Sequence, residues 1–346
     1  MHDPEEAPGE LPLTPRHCLL TPRHGLNLVL LILGLLLTVG LLVQMAAVYP
    51  GLVFTEFGLL LLPTWLFCRR LGLAPVPTLL LAPGRPLPPL AAVAMGLLAF
   101  AMALALTFPV LLLVFLAGGS YVGPILPLET GGQFLMALAA GAVAAPICEE
   151  ILFRGFVLRS LAPLGPHVAV WGSALLFGLF HMDPVRLVPT MVLGVVYGYM
   201  AAGTGSVRSS MVAHAVNNGL ALTLAFMGGG GDKGETLDLE SLRLGVARTM
   251  AKSGTGLNEA VSPDLILAGA AVGLSLLGLI LAALVAMGLR GLAGRRPHRF
   301  CLPDMSGATR LPMTSLLRLP SLWAILGLGA LIWGRGLWQL FSGHGA

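Results

Sequence analysis

The stretch Pro146-Ile147-Cys148-Glu149-Glu150-Ile151-Leu152-Phe153-Arg154 places three charged side chains inside an apolar run. The run is long enough to lie within a lipid bilayer, where a charged side chain costs from about 2.5 to more than 10 kcal/mol. An ionisable group at that depth therefore indicates a functional site by default. Two adjacent glutamates strengthen the indication.

The composition of the chain supports a membrane location. Of its 346 residues, 56% are hydrophobic and 10% are charged, and the mean hydropathy is +0.87. Because soluble domains carry about 25% charged residues, the sequence predicts an all-α, polytopic membrane protein surrounded by lipids. The net charge of +4 does not indicate a nucleic-acid partner, since the basic residues flank apolar runs as topology signals do.

Apolar runs separated by polar loops predict about eight transmembrane helices. The first run is too long for the core of a signal peptide, so we expect it to be retained. A further run at 322–341 is interrupted by Arg335, and a surface-lying helix is favoured there over a ninth span. The predicted spans cover residues 28–48, 52–68, 90–116, 134–162, 168–181, 187–202, 209–227 and 265–289. Glu56, the one carboxylate of the second span, falls near its outer end, where we expect the interface to solvate it.

These spans divide the chain into six predicted segments. Because Lys and Arg accumulate in short cytoplasmic loops, we expect the N-terminus on the cytoplasmic side. The segments are a disordered cytoplasmic tail at 1–24, N-terminal transmembrane helices at 25–132, a core with intramembrane polar residues at 133–227, a polar non-cytoplasmic loop at 228–263, a last core helix at 264–290 and a basic C-terminal tail with the ambiguous run at 291–346.

Three of the predicted helices bring polar side chains to overlapping depths. Counted from the turn at 163–166, Glu149 and His181 each lie about 20 Å along their helices at 1.5 Å per residue. On the same count, His214 and Asn218 lie about 10 to 16 Å from that side. The four side chains are therefore able to meet inside the membrane.

The two glutamates are expected to have different roles. Glu150 and Arg154 are four residues apart on a helix, a spacing that favours an ion pair. Glu149 projects about 100° away and is free to accept and return a proton. The competing interpretation is a buried ion pair with a spare carboxylate that lines a transport path. The two intramembrane histidines favour catalysis.

The remaining polar residues fit the same chemistry. His181 shares a helix face with Phe177, although a histidine at a helix end is also typical of the membrane interface. His214 and Asn218 are placed to donate hydrogen bonds to one oxygen, or else to bond between helices. A glutamate, two histidines and an amide are what peptide hydrolysis requires. Zinc ligation by Glu149, His181 and His214 is the alternative, which the spacing leaves open.

The chain resembles the CPBP intramembrane proteases, a family that includes the CAAX prenyl proteases and bacterial proteins labelled as abortive-infection or bacteriocin-immunity-like. The resemblance covers roughly residues 134–227 and includes all three family signatures in order, each on an apolar segment. The matching motifs are Glu149-Glu150-x-x-x-Arg154, Phe177-x-x-x-His181 and His214-x-x-x-Asn218.

This resemblance implies a CAAX-protease-like helical core at 133–227 that encloses an intramembrane cavity. It implies that Glu149, with His181, activates the hydrolytic water, and that His214 and Asn218 stabilise the oxyanion. Glu150, Arg154 and Phe177 would support the site. No cofactor is expected, and zinc is the alternative.

The expected function is an intramembrane endopeptidase that cuts a membrane-anchored or lipidated protein near its C-terminus. Few lysines and short loops are typical of a bacterial protein, so we expect a location in the inner membrane and resemblance to the myxosortase-like members, which process cysteine-containing sorting tails. Cys148 is a possible substrate contact, although a packing role also fits. A non-catalytic immunity or scaffold protein of the same fold and a proton-coupled transporter are the alternative functions.

Overall fold

A computed structural model describes residues 20–82, 84, 86–123, 126–228, 237–253, 262–294 and 311–342. The predicted tail at 1–19, parts of the polar loop at 229–236 and 254–261, and the basic segment at 295–310 lie outside these ranges. Cys18 and Cys301 lie outside them as well.

The described residues form a bundle of α-helices without a β-strand, which confirms the predicted all-α fold. Short helices at Pro75–Thr78 and Met313–Arg318 accompany the longer ones. The longer helices are α1 Pro22–Ala46, α2 Val48–Arg70, α3 Pro89–Leu116, α4 Gly131–Leu164, α5 Pro166–Phe180, α6 Leu187–Thr204, α7 Arg208–Met227, α8 Leu239–Ser253, α9 Pro263–Gly294 and α10 Pro320–Phe341.

Seven helices in the described part of the chain are long and apolar enough to cross a membrane, namely α1 to α4, α6, α9 and α10. The chain is therefore a multi-pass membrane protein. The predicted set of about eight differs in detail, since α5 has only 15 residues and α7 carries several polar side chains. The run for which the sequence favours a surface-lying helix forms α10, whose 22 residues are sufficient for a span.

A single extended residue separates α1 from α2. Ala47 has φ −159° and ψ 111°, and both neighbours are helical. Gly51 makes this tight hairpin possible, because a Cβ atom there would lie 2.7 Å from the Cα of Gln44. As a result α2 begins at Val48 rather than at the predicted residue 52, and Glu56 lies two turns inside it.

Helix α4 lies at the centre of the bundle and packs against α1, α2, α5, α6 and α7. Its middle turn, Ala145–Glu150, is flanked by wider π-helical turns at Leu138–Ala144 and Ile151–Val157. Turns of this kind often occur at functional sites. Every residue from Ile151 to Leu158 is buried, so α4 holds its polar residues in the core of the protein.

The two ends of the bundle differ in character. At the end that we call the arginine end, Arg159 donates to the carbonyls of Pro77 and Thr78, and Arg208 donates to that of Leu81. These contacts place Arg159 and Arg208 at the same end of the protein.

At the opposite end, which we call the Tyr121 end, three distant segments meet. The backbone of Tyr121 pairs with Leu237, and its hydroxyl donates to Asp183 at 2.8 Å. The N–H of Ser120 donates to the carbonyl of Leu340, at the end of α10, at 2.7 Å.

Candidate active site

Glu150 is the centre of a buried network between α4 and α7. Its Oε1 atom lies 3.0 Å from Nη1 of Arg154 and 3.1 Å from Nδ1 of His214. The side chains of Glu150 and Arg154 are 0% and 1% exposed, so the ion pair expected from their spacing is fully buried. A buried carboxylate needs such partners, because an isolated charge is costly to remove from water.

Glu149 points to a different side of the same helix turn. Its side chain is 13% exposed, and its Oε2 atom lies 3.7 Å from Nε2 of His214. This oxygen is itself buried and accepts no hydrogen bond from the described residues. Since Nδ1 of His214 donates to Glu150, its Nε2 atom faces Glu149. The separation is too long for a direct hydrogen bond.

Phe177 connects His181 to this network. The rings of His181 and Phe177 meet edge to face with centroids 4.9 Å apart, and Phe177 meets His214 in the same way at 5.7 Å. Nδ1 of His181 donates to the Phe177 carbonyl at 2.9 Å, which leaves Nε2 available. The structure therefore brings His181 to the same cluster, although its described contacts do not include Glu149.

Two aromatic rings cover the guanidinium of Arg154. Its Cζ atom lies 4.2 Å from the centroid of the Phe177 ring and 5.5 Å from that of Tyr197. Cation–π contacts of this kind stabilise a desolvated arginine. Tyr197 also stacks on His214, with centroids 5.1 Å apart and planes inclined by 23°. The rings thus fix both partners of Glu150.

Asn218 lies one turn after His214 and bonds to the helices around it. Its amide nitrogen donates to the carbonyl of Gly141 at 2.9 Å, and its oxygen accepts from Asn217 at 3.0 Å. One amide hydrogen remains for a ligand, since the NH₂ group has two. Within the described residues no hydrogen bond joins Asn218 to the two glutamates or the two histidines. Its role in holding an oxyanion therefore remains a prediction.

The comparisons with known proteins agree with this geometry. Residues 131–220, about a quarter of the chain, match the family model described as "Type II CAAX prenyl endopeptidase Rce1-like". The match begins at the start of α4 and includes all the side chains of the network. We call residues 131–220, which are similar to that family, the Rce1-like segment.

A curated relative and the solved structures add less. The "Uncharacterized protein YyaK" of Bacillus subtilis (strain 168) is 32% identical over 102 residues, which are 25% of this chain. The chain spans about a third of the length of that relative, 33%. No solved structure matches the chain significantly.

Cys148 precedes the two glutamates of the Rce1-like segment and is completely buried. It belongs to the hydrophobic core shared by α1, α2 and α4. It is a free thiol, as is Cys68. Its surroundings suit the packing role, and a contact with substrate remains a prediction.

Glu56, on α2, is buried more deeply than the sequence predicts. Its position near the presumed start of a span suggests a carboxylate solvated at the interface, yet the side chain is only 9% exposed. Its Oε2 atom is buried and accepts no hydrogen bond from the described residues. The turn that carries it, Thr55–Leu61, packs against Ala145–Glu150 of the Rce1-like segment. The expectation of interfacial solvation is therefore wrong.

Metal binding by this donor set can be tested against the geometry. Among the described residues there is no group of three or more His, Cys, Asp or Glu side chains arranged to hold a metal ion. The Nδ1 atoms of His181 and His214 donate to Phe177 and Glu150, which leaves both Nε2 atoms free, as in histidines that ligate a metal. Zinc ligation by Glu149, His181 and His214 therefore stays a prediction, as does the expectation of no cofactor.

Proposed function

We propose that the protein is an intramembrane endopeptidase in which Glu149 activates water to hydrolyse a peptide bond. The observation that carries the proposal is a buried, unpartnered Oε2 atom of Glu149 at 3.7 Å from Nε2 of His214, a histidine anchored on its other side by Glu150. A base for water must have a free acceptor and a neighbour that positions the water. The match of residues 131–220 to an endopeptidase family supports this assignment.

The first step follows from the arrangement of the two side chains. A water beside Glu149 and His214 donates one hydrogen to the carboxylate, and its oxygen attacks the carbonyl carbon of the substrate. Glu149 takes the proton as the C–O bond forms. In this proposal His214 is an imidazolium throughout: Nδ1 donates to Glu150, and Nε2 donates to the oxyanion without giving up its proton. The free amide hydrogen of Asn218 is the second donor.

The second step returns the proton. The carboxylic acid of Glu149 donates it to the leaving nitrogen as the C–N bond breaks, so the base returns to its starting state. His181 holds the water or the leaving group through its free Nε2 atom. Glu150 and Arg154 act on His214 and not on the substrate, which makes them positioning residues. No step passes through a metal.

The proposed substrate is a membrane-anchored or lipidated protein that is cut near its C-terminus. The description of the matched family supports this class, since CAAX prenyl endopeptidases are named for lipid-modified cysteine motifs. We further propose that residues 133–227 are the catalytic core, and that the protein lies in the inner membrane of a bacterium with its N-terminus and arginine end at the cytoplasm.

The test uses purified full-length protein in detergent and peptides with a lipidated cysteine near the C-terminus. Wild type should cleave, and Glu149→Gln should lose about 10²-fold to 10⁴-fold in rate, as expected for removal of a general base. Glu129→Gln is the matched control, because Glu129 is exposed outside the site. Cleavage by Glu149→Gln at the wild-type rate would refute the assignment. Full activity in a chelator series supports glutamate chemistry, and loss restored by zinc supports a metal.

A further inference from the structure

The buried part of the site contains more acidic than basic side chains. Glu149 and Glu150 lie on α4, and Glu56 interacts electrostatically with Glu149 from α2. Against three carboxylates stand Arg154 and, when protonated, His214. Arg186 also acts on Glu149, but it is exposed, so water screens its charge.

All three carboxylates have an oxygen atom that lacks a hydrogen-bond partner. The Oε2 atoms of Glu56, Glu149 and Glu150 are buried and accept no hydrogen bond from the described residues. Leaving a buried acceptor unsatisfied is costly, and native structures seldom do so without a reason. The Oε1 atom of Glu150 has Arg154 and His214 as partners, and Glu149 lies 3.7 Å from His214. Among the three, Glu56 is therefore the carboxylate that forms no ion pair with a described residue.

Among the described residues, none forms a salt bridge with Glu56. The hydroxyl of the neighbouring Thr55 donates to the Gly51 carbonyl and accepts from Gln44. The hydroxyl hydrogen of Thr55 is therefore already used. Cys148, which interacts with both Glu56 and Glu149, is a weak donor at best. A ligand with a positive charge and several N–H groups is what this side of the cluster lacks.

We propose that Glu56 binds a lysine or arginine side chain of the substrate beside Glu149 and so determines specificity. This inference rests on the proposed function, because it assigns the cation to the substrate of that same site. A cationic side chain placed there donates to the free oxygen of Glu56 and balances an acidic group that has no ion pair among the described residues. Glu56 lies outside residues 131–220, so the family match assigns it no role.

The test measures binding and does not require cleavage. The probes are n-butylammonium, which has the charged end of a lysine side chain, and n-butanol, its neutral counterpart of similar size. Affinities come from the rise in the unfolding midpoint with ligand concentration. Wild type and the control Glu129→Gln should bind the cation at least about 30-fold more tightly than the alcohol, as for a buried charge pair. Glu56→Gln should bind the two equally.

Two results would overturn the proposal: wild type without preference for the cation, or Glu56→Gln with the wild-type preference. If Glu56→Gln does not fold, Glu56→Met replaces it, since methionine removes the unsatisfied oxygen while keeping the volume. Failure of the proposed function would be seen separately, as cleavage by Glu149→Gln at the wild-type rate. Where peptides are cleaved, Glu56→Gln should raise KM for a lysine-containing peptide and leave KM for its norleucine analogue unchanged.

Discussion

His214 and Glu150 are joined by a buried hydrogen bond of 3.1 Å between Nδ1 and Oε1, and this bond determines what the imidazole can do. Because the carboxylate accepts, the Nδ1 atom carries a hydrogen, and Nε2 is left facing Glu149. The partner on one nitrogen of a histidine commonly fixes the role of the other. In the proposed mechanism, Glu150 thus positions His214 beside Glu149 without touching the substrate.

Replacing Arg154 by methionine is expected to destabilise the protein severely. The change leaves the carboxylate of Glu150 buried without its cation, which costs about 3–5 kcal/mol. Unfolding in detergent, followed by circular dichroism, measures the loss. Combining Arg154→Met with Glu150→Gln should recover part of it, because the uncompensated charge is then removed. A single mutant as stable as wild type would show that the ion pair does not hold α4 in place.

Gly96→Ala should weaken both stability and activity. A Cβ atom at Gly96 would lie 2.6 Å from the carbonyl oxygen of Ala213, where α3 crosses α7 immediately before His214. Since backbone must move to make room, we expect a loss of about 1–3 kcal/mol and slower cleavage as His214 shifts. Gly203→Ala is the control, because nothing lies within 4 Å of a Cβ there. Equal effects of the two changes would contradict the close crossing.

Tyr197→Phe separates a structural from a chemical role for this tyrosine. The hydroxyl is buried without a partner in the described part of the chain, while the ring stacks on His214. Removing an unsatisfied hydroxyl should leave stability unchanged or raise it by about 1–3 kcal/mol, with the cleavage rate intact. Tyr197→Leu, which loses the stacking, should slow cleavage. A large loss of rate in Tyr197→Phe would instead mean that the hydroxyl acts in the reaction.

Met182 follows His181 in a left-handed conformation, with φ +52°. Such a conformation is unfavourable for most residues and worst for β-branched ones. We therefore expect Met182→Val to lower stability by about 1–2 kcal/mol and to slow cleavage by turning the His181 backbone. Met182→Asn should be tolerated, since asparagine adopts this conformation more readily. Thermal unfolding and cleavage rates of the two variants, compared with wild type, test the idea.

Much of the site could be predicted because its spacing reflects helix geometry. Glu150 and Arg154 lie one turn apart, as do Phe177 and His181, and residues so related share a face of any helix. Their contacts in the structure therefore follow from the sequence. The contact between His214 and Glu150 could not be inferred, because the sequence does not specify how α4 and α7 rotate relative to each other. The rotation of α7 depends in part on its close crossing with α3 at Gly96.

Glu56 shows where reasoning from the sequence was insufficient. The apolar run appeared to begin near residue 52, and a carboxylate four residues inside would reach the interface. The hairpin at Ala47 starts the helix at Val48 instead, so Glu56 lies about 12 Å along it at 1.5 Å per residue. A single intramembrane carboxylate is itself a signal of function. Only the position of Glu56 close to the turn that carries Glu149 could not be inferred without the tertiary structure.

The meeting of segments at the Tyr121 end has a practical consequence for anyone who purifies this enzyme candidate. The last turn of α10 holds Ser120, and the neighbouring Tyr121 holds Asp183, two residues after His181. An affinity tag or fluorescent fusion attached beyond α10 is expected to disturb these contacts and to lower activity without altering any residue of the proposed site. A tag at the N-terminus is the safer choice for activity assays.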